Sequence, residues 1–186
     1  MIYNYYGENI KLYIVKVGYL KENCYILEKN NKVLIIDPGY NADKIKEVVG
    51  KRCVIGILIT HNHFDHVGAL KDISEYYGVS IYNHNNLSEG IHSIGEFKFE
   101  VIYTPGHSAD STTYYFFEDK KMFVGDFIFR GDIGRCDLPG GDENEMLNSI
   151  IRIKEYSNCN VYPGHGEATT LDDERRSNQY FKIERV

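Results

Sequence analysis

The sequence predicts an α/β protein folded as a four-layer αββα sandwich, and three observations carry that expectation. Short β-branched and aromatic runs followed by an amphipathic helical stretch fill the first half, and the same order returns in the second. Polar residues with metal-binding side chains follow directly on apolar, β-rich runs, which puts them at strand ends. The chain has 186 residues with 42% hydrophobic and 13% aromatic content, enough for a substantial core in one domain spanning residues 1–186. Two β-then-α halves bury their sheets against each other, leave helices outside and bring the strand-end loops to one rim.

The elements follow in order. Lys11 to Val17, Asn23 to Glu28 and Lys32 to Asp37 are separated by Gly18 and by Asn30-Asn31, the pattern of an antiparallel meander. Ala42 to Val49 has helical spacing closed by Gly50, and Cys53 to Ile59 is a nearly continuous apolar strand. A helix is expected from Asp65 to Tyr77, since Val67, Leu70, Ile73 and Tyr77 recur at three to four residues and Gly78 is a stop. The second half supplies strands at Phe97 to Tyr103, Ser111 to Phe117 and Lys121 to Gly125. A helix from Glu143 to Tyr156, a strand ending at Tyr162 and a last helix from Asp172 to Phe181 complete it. The aromatic run Tyr114 to Phe117 is read as strand core, because alternate residues of a strand pack inward.

A formal charge of −6 argues against a general nucleic-acid or anionic-membrane binder. With neither an apolar stretch long enough to span a bilayer nor an export signal, the expected location is the cytoplasm. Cys24, Cys53, Cys136 and Cys159 are widely spaced without a Cys-x-x-Cys pair, so the default is buried free thiols.

Function is concentrated in Thr60-His61-Asn62-His63-Phe64-Asp65-His66, where three imidazoles and a carboxylate fall within six residues. Adjacent ligands on one loop leave a metal shell incomplete, so distant partners are needed. His107 in Thr-Pro-Gly-His-Ser, Asp126 in Phe-Val-Gly-Asp-Phe and His165 in Tyr-Pro-Gly-His-Gly are the candidates. Gly106 and Gly164 permit the sharp turns that aim His107 and His165 inward. Imidazole and carboxylate donors suit zinc, and also iron or manganese, rather than calcium. His84 and His92 lack this context and are not read as ligands.

The histidine run resembles the signature of the metallo-β-lactamase-fold hydrolases. Gly125-Asp126-Phe127-Ile128-Phe129-Arg130-Gly131, the stretch Ile133 to Gly141, and Tyr162-Pro163-Gly164-His165-Gly166 resemble the extended pattern of short, single-domain glyoxalase II-like proteins. The resemblance covers nearly the whole chain. It implies two divalent metal ions, with His61, His63 and His107 on one, Asp65, His66 and His165 on the other, and Asp126 bridging. It also implies that Asp37, in Asp-Pro-Gly, supports the metal loop by hydrogen bonding.

The implied reaction is hydrolysis of a thioester such as S-D-lactoylglutathione by a metal-bound bridging hydroxide, which Asp65 would orient. Thiols are acidic enough to leave without strong protonation. Arg130 and Arg135 are cations available to a carboxylate on a small-molecule thioester, or braces of their own loop. Cys136 beside them is read as a passive thiol.

This chain departs from the family pattern at Phe127, where a Thr is usual, and at Ser108-Ala109-Asp110-Ser111 in place of Thr-Pro-Gly-Ser. Longer glyoxalase II enzymes carry a C-terminal helical domain that supplies much of their glutathione recognition, and the chain stops about where it would begin, which leaves the thiol carrier open. Two rival readings remain. One is a mononuclear iron persulfide dioxygenase using His61, His107 and Asp126; the other is a metal-stabilised binding module without turnover.

Overall fold

The computed structural model describes residues 10–182 and the backbone of a short strand at residues 4–6. The first half runs β1 (Asn4–Tyr6), β2 (Lys11–Val17), β3 (Glu22–Lys29), β4 (Lys32–Ile36), α1 (Ala42–Val49), β5 (Cys53–Leu58), α2 (Phe64–Val67), α3 (Leu70–Tyr77) and β6 (Ile81–Tyr82). The second runs β7 (Gly90–Ile94), β8 (Phe97–Tyr103), β9 (Thr112–Phe116), β10 (Lys121–Gly125), β11 (Ile128–Phe129), β12 (Asp132–Ile133), α4 (Glu143–Ile153), β13 (Asn160–Pro163), β14 (Thr169–Thr170) and α5 (Leu171–Ser177).

One sheet has the order β1-β2-β3-β4-β5-β6 and the other β14-β13-β10-β9-β8-β7. The halves repeat a rule. An antiparallel meander ends in a strand that pairs in parallel with the next one across a helix: β4 with β5 through α1, and β10 with β13 through α4. Asn30 and Asn31 both take positive φ, 49° and 63°, giving the tight two-residue turn that matches strand twist between β3 and β4.

Strand alternation sorts the apolar residues into three layers. Leu12, Ile14, Tyr25, Leu27, Leu34 and Ile36 face Phe97, Phe99, Val101, Tyr114, Phe116 and Phe123 between the sheets. The intervening residues Val15, Val17, Ile26, Val33 and Ile35 pack under Ile45 and Val49 of α1 and Ile73 of α3. On the far side of the second sheet, Ile102, Met122, Val124 and Val161 meet Met146, Ile150 and Ile153 of α4. Each such side chain gains about 1.5–3 kcal/mol from full burial. The expected four-layer sandwich is therefore present, and Tyr114, Tyr115 and Phe116 lie in its core.

Several boundaries differ from the sequence expectation. The helix expected over Asp65 to Tyr77 is broken after Val67, because the Ala69 N–H donates to Pro38 O at 3.0 Å and Gly68 lies against the Gly39 carbonyl. A Cβ at Gly68 would collide there, so packing on the Asp37-Pro38-Gly39 turn overrides the helical spacing. The last helix ends at Ser177, where buried Asn178 turns extended and its Nδ2 donates to Asp132 O and Glu174 Oε2, before a 3-10 turn at Gln179–Lys182. Of the cysteines, Cys24 and Cys159 are buried, but Cys53 is exposed at the start of β5 and Cys136 is half-buried. Buried thiols were expected throughout; Cys53 departs because it opens its strand before the core begins. No helix among the described residues is long and apolar enough to cross a membrane.

Candidate metal centre

The site lies where β5, β10 and β13 of the two sheets end. β5 delivers Thr60 and His61, α2 carries Asp65 and His66, the loop after β8 carries His107, β10 leads into Asp126 and β13 into His165. These seven expected residues come together. His61, His63 and His107 form one cluster, Asp65, His66 and His165 another, and His61, His66 and Asp126 a third, with donor atoms of each cluster within 4.8 Å of one another.

Asp126 sits between the two ends. Its Oδ2 is 3.7 Å from His107 Nε2 and 3.7 Å from His165 Nε2, while Oδ1 is 3.4 Å from His66 Nε2. His63 Nδ1 is 2.9 Å from His107 Nε2, and His165 Nε2 is 3.0 Å from Asp65 Oδ2.

The outward nitrogens are tied down, which sets which nitrogen faces inward. His107 Nδ1 donates to Arg135 O at 2.8 Å, His165 Nδ1 to Leu20 O at 3.2 Å, and His66 Nδ1 to Asp37 Oδ2 at 3.0 Å. His61 Nδ1 meets Thr60 Oγ1 at 3.1 Å, and Thr60 donates from that oxygen to Asp37 Oδ2 at 2.6 Å and from its N–H to Oδ1 at 2.8 Å. Asp37 thus braces both the first residue of the loop and a histidine at its end.

The interior holds buried polar atoms that make no regular hydrogen bond: His61 Nε2 has none, and His66 Nε2 and Asp126 Oδ1 face each other at 3.4 Å. A buried polar atom left without a hydrogen bond costs about 1–3 kcal/mol, so the arrangement calls for an electrophile at their centre. Nitrogen and carboxylate donors converging in this way fit a divalent transition metal.

Burial and neighbouring imidazoles hold His61 well below the usual histidine pKa, and burial with His107 lowers His63. Such neutral rings are ready to donate lone pairs. Burial also opposes the charge on His66 and His165, but hydrogen bonds to Asp126 and Asp37, and to Asp65, outweigh it and raise both. Burial likewise works against the Asp126 and Asp65 carboxylates, which His66 and His165 nonetheless hold below the ordinary range.

Glycines admit the close approaches. Gly106 takes φ 143°, and a Cβ there would strike the Met146 backbone of α4. Gly164, like Gly106, stands in a bend, as expected, although its φ is not positive; a Cβ there would collide with Asp126 Oδ1 and His66 Cε1.

The other expected residues fall outside this cluster. Arg130 pairs with Glu167 at 2.5 Å and Arg135 with Asp137 through two bonds of 2.6 and 2.7 Å, all on exposed side chains. His84 stacks on Tyr103 and His92 bonds Ser88 O. Phe127 is fully buried against the outer face of the second sheet, so replacing Thr there changes the core rather than the metal rim. The 108–111 loop is cross-braced by Ser108 and Ser111 Oγ at 2.8 Å, and Asp110 Oδ2 accepts from Asn62 Nδ2 at 2.6 Å, joining that loop to the histidine run.

Sequence reasoning missed Glu22 and Thr60. Glu22 is 1% exposed, with neither oxygen hydrogen-bonded and Oε1 3.9 Å from His66 Nδ1; burial, foremost, raises its carboxyl well above the usual value. A lone Glu at the start of an apolar strand was the only signal.

Two sheets meeting at a rim of five histidines and two aspartates define a metal-dependent protein of the αββα class. Residues 17–92 and 87–165 match the family described as the Metallo-beta-lactamase superfamily, and the chain belongs to it, as a metallo-hydrolase. It is 32% identical to "Probable metallo-hydrolase YqgX" of Bacillus subtilis (strain 168), covering 89% of this chain and 94% of that one. It is 28% identical to "Hydroxyacylglutathione hydrolase GloC" of Haemophilus influenzae, covering 90% and 96%. Among solved structures, TTHA1623 in a di-iron-bound form superposes with a TM-score of 0.84 at 32% identity, covering 90% of this chain and 98% of that one.

Proposed function

We propose that this protein hydrolyses a small-molecule thioester in the cytoplasm, S-D-lactoylglutathione or a related hydroxyacyl thiol, with two divalent metal ions, zinc first and iron or manganese as alternatives. The observation that carries the reading is Asp126 Oδ2, equidistant at 3.7 Å from His107 Nε2 and His165 Nε2. One carboxylate between two three-donor clusters is an arrangement that would hold two divalent ions close together. The likeness to a hydroxyacylglutathione hydrolase supports the thioester class, and the net charge of −6 supports a small substrate over nucleic acid or an anionic membrane.

His61, His63 and His107 would hold one ion, Asp65, His66 and His165 the other, and Asp126 would join them. Bound metals supply Lewis acidity and a nucleophile from water near neutral pH. Asp65 is hydrogen-bonded to His165 at 3.0 Å, and its carboxylate would orient the attacking water and take up its proton. Thiolate leaves without an acid, and the described rim needs none. Arg135 is one contact for an anionic substrate, exchanging its Asp137 partner for a carboxylate.

The test is S-D-lactoylglutathione hydrolysis by zinc-loaded, iron-loaded and chelated protein of assayed metal content, alongside His61→Ala. Turnover that needs metal and is lost in the variant while its fold persists supports the reading. A folded, fully metallated protein without turnover, or turnover indifferent to His61→Ala, overturns it.

A further inference from the structure

Beside the metal cluster the two sheets part. Alternate residues of β2 and β3 point between the sheets, and their cross-strand partners are Ile14 with Tyr25 and Lys16 with Asn23. Further along these strands Leu12 and Leu27 are sealed by the second sheet, but at the end nearest His165 the covering strand gives way to the 166–168 loop and Arg130. This leaves a cavity of about 500 Å³ with Ile14 and Tyr25 as apolar floor and Lys16 and Asn23 as its polar end. A second hollow of about 350 Å³, lined by Phe129, Arg130, His165, Gly166 and Glu167, shares Arg130, Gly166 and Glu167 with the first. The two hollows adjoin along Arg130, Gly166 and Glu167, so the cleft at Lys16 lies next to His165, a proposed metal ligand.

Lys16 is the unusual group in it. Its Nζ donates to Gly166 O at 2.9 Å, and among the described residues no carboxylate lies within 4.0 Å of it. Arg130, by contrast, is already paired with Glu167. Burial pulls the Lys16 ammonium below its usual pKa, and Glu22 and Glu167 only push back. A half-buried ammonium that makes one backbone hydrogen bond and faces an open cleft is placed to receive an anion.

We propose that this cleft binds the thiol carrier of the substrate, its chain over Phe129 and Tyr25 and its anionic terminus, carboxylate or phosphate, against Lys16. The inference rests on the thioester reading and extends it: acyl transfer to water occurs at the metal rim, while recognition of the leaving thiol occurs between the sheets. An ammonium takes either anion as a point charge, so the terminus is decided by experiment.

Two matched pairs test it. One is S-D-lactoylglutathione and its glycyl ethyl ester; the other is S-lactoyl-4′-phosphopantetheine and S-lactoylpantetheine. For each pair the ratio of kcat/KM, anionic over neutral member, is measured in wild type, Lys16→Met and Lys16→Arg, with metal content and Tm confirming an intact protein. The ratio falls about tenfold in Lys16→Met for one pair and is restored in Lys16→Arg; the responding pair names the terminus. Ratios within twofold of wild type in both pairs overturn the proposal while leaving the hydrolase reading intact. Binding of S-methylglutathione and S-methyl-4′-phosphopantetheine, which cannot be hydrolysed, separates the two ideas. Lys16-dependent affinity in a protein without turnover supports the cleft and refutes the thioester reading; affinity indifferent to Lys16→Met overturns the cleft.

Discussion

Asp37 Oδ2 accepts from His66 Nδ1 at 3.0 Å and from Thr60 Oγ1 at 2.6 Å, so one buried carboxylate orients both ends of the histidine run. Partners of this kind raise the basicity of a ligating imidazole and fix its ring. Asp37→Ala is expected to weaken metal binding about 10–100-fold, measured by competition with a chromophoric chelator. Added metal should recover much of the lost activity. An unchanged affinity would show that Asp37 only shapes its turn.

Gly164→Ala tests the close packing of β13 on the site. The new methyl meets Asp126 Oδ1 and His66 Cε1, so overpacking should cost about 1–3 kcal/mol in urea unfolding. Metal stoichiometry should fall with it. Full occupancy at wild-type stability would mean the strand shifts without loss.

Metal removal should destabilise the protein, because it leaves His61 Nε2 without a hydrogen bond and His66 Nε2 and Asp126 Oδ1 with only each other at 3.4 Å. Free metal at a hundred times its dissociation constant stabilises by about 2.7 kcal/mol per site. Tm should therefore climb with metal concentration in wild type and climb less in His61→Ala, which keeps Asp65, His66 and His165. A flat wild-type curve would contradict a metal shared by these side chains.

Acid stability should depend on Glu28, far from the metal rim. Burial opposes its charge, but Tyr13 Oη at 2.7 Å and Arg52 Nη1 at 2.8 Å hold its carboxyl below the ordinary glutamate range. A depressed folded-state pKa adds stability above the unfolded value, and that contribution is lost as pH falls through the folded one. Glu28→Gln should cost about 1 kcal/mol at pH 7 and flatten the decline of stability below about pH 4. Parallel pH curves for variant and wild type would exclude Glu28 as a source of that slope.

Arg135→Ala should leave metal content intact, since it is the backbone oxygen of Arg135 that accepts from His107. The KM for an anionic thioester should rise several-fold more than for a neutral one. Equal effects on both would leave Arg135 as a brace for Asp137 alone.

The β-branched and aromatic runs of β2, β3, β8 and β9, the helical spacing of α1 and α4, and the attachment of every candidate ligand to a strand end were legible in the sequence, because residue type and backbone geometry act locally. The break between α2 and α3 was not, since the helical spacing runs through Gly68 and only the Gly39 carbonyl packed against it forbids continuity. Glu22, Lys16 and Asn23 carry no local mark of their placement either. Chain order and residue chemistry determined that His61, His63, Asp65, His66, His107, Asp126 and His165 are suited to metal. Tertiary structure alone decided that Asp126 stands midway between His107 and His165, and that a cleft opens at Lys16. Those relations join residues 19 to 150 positions apart, and only the packing of one sheet on the other sets such distances.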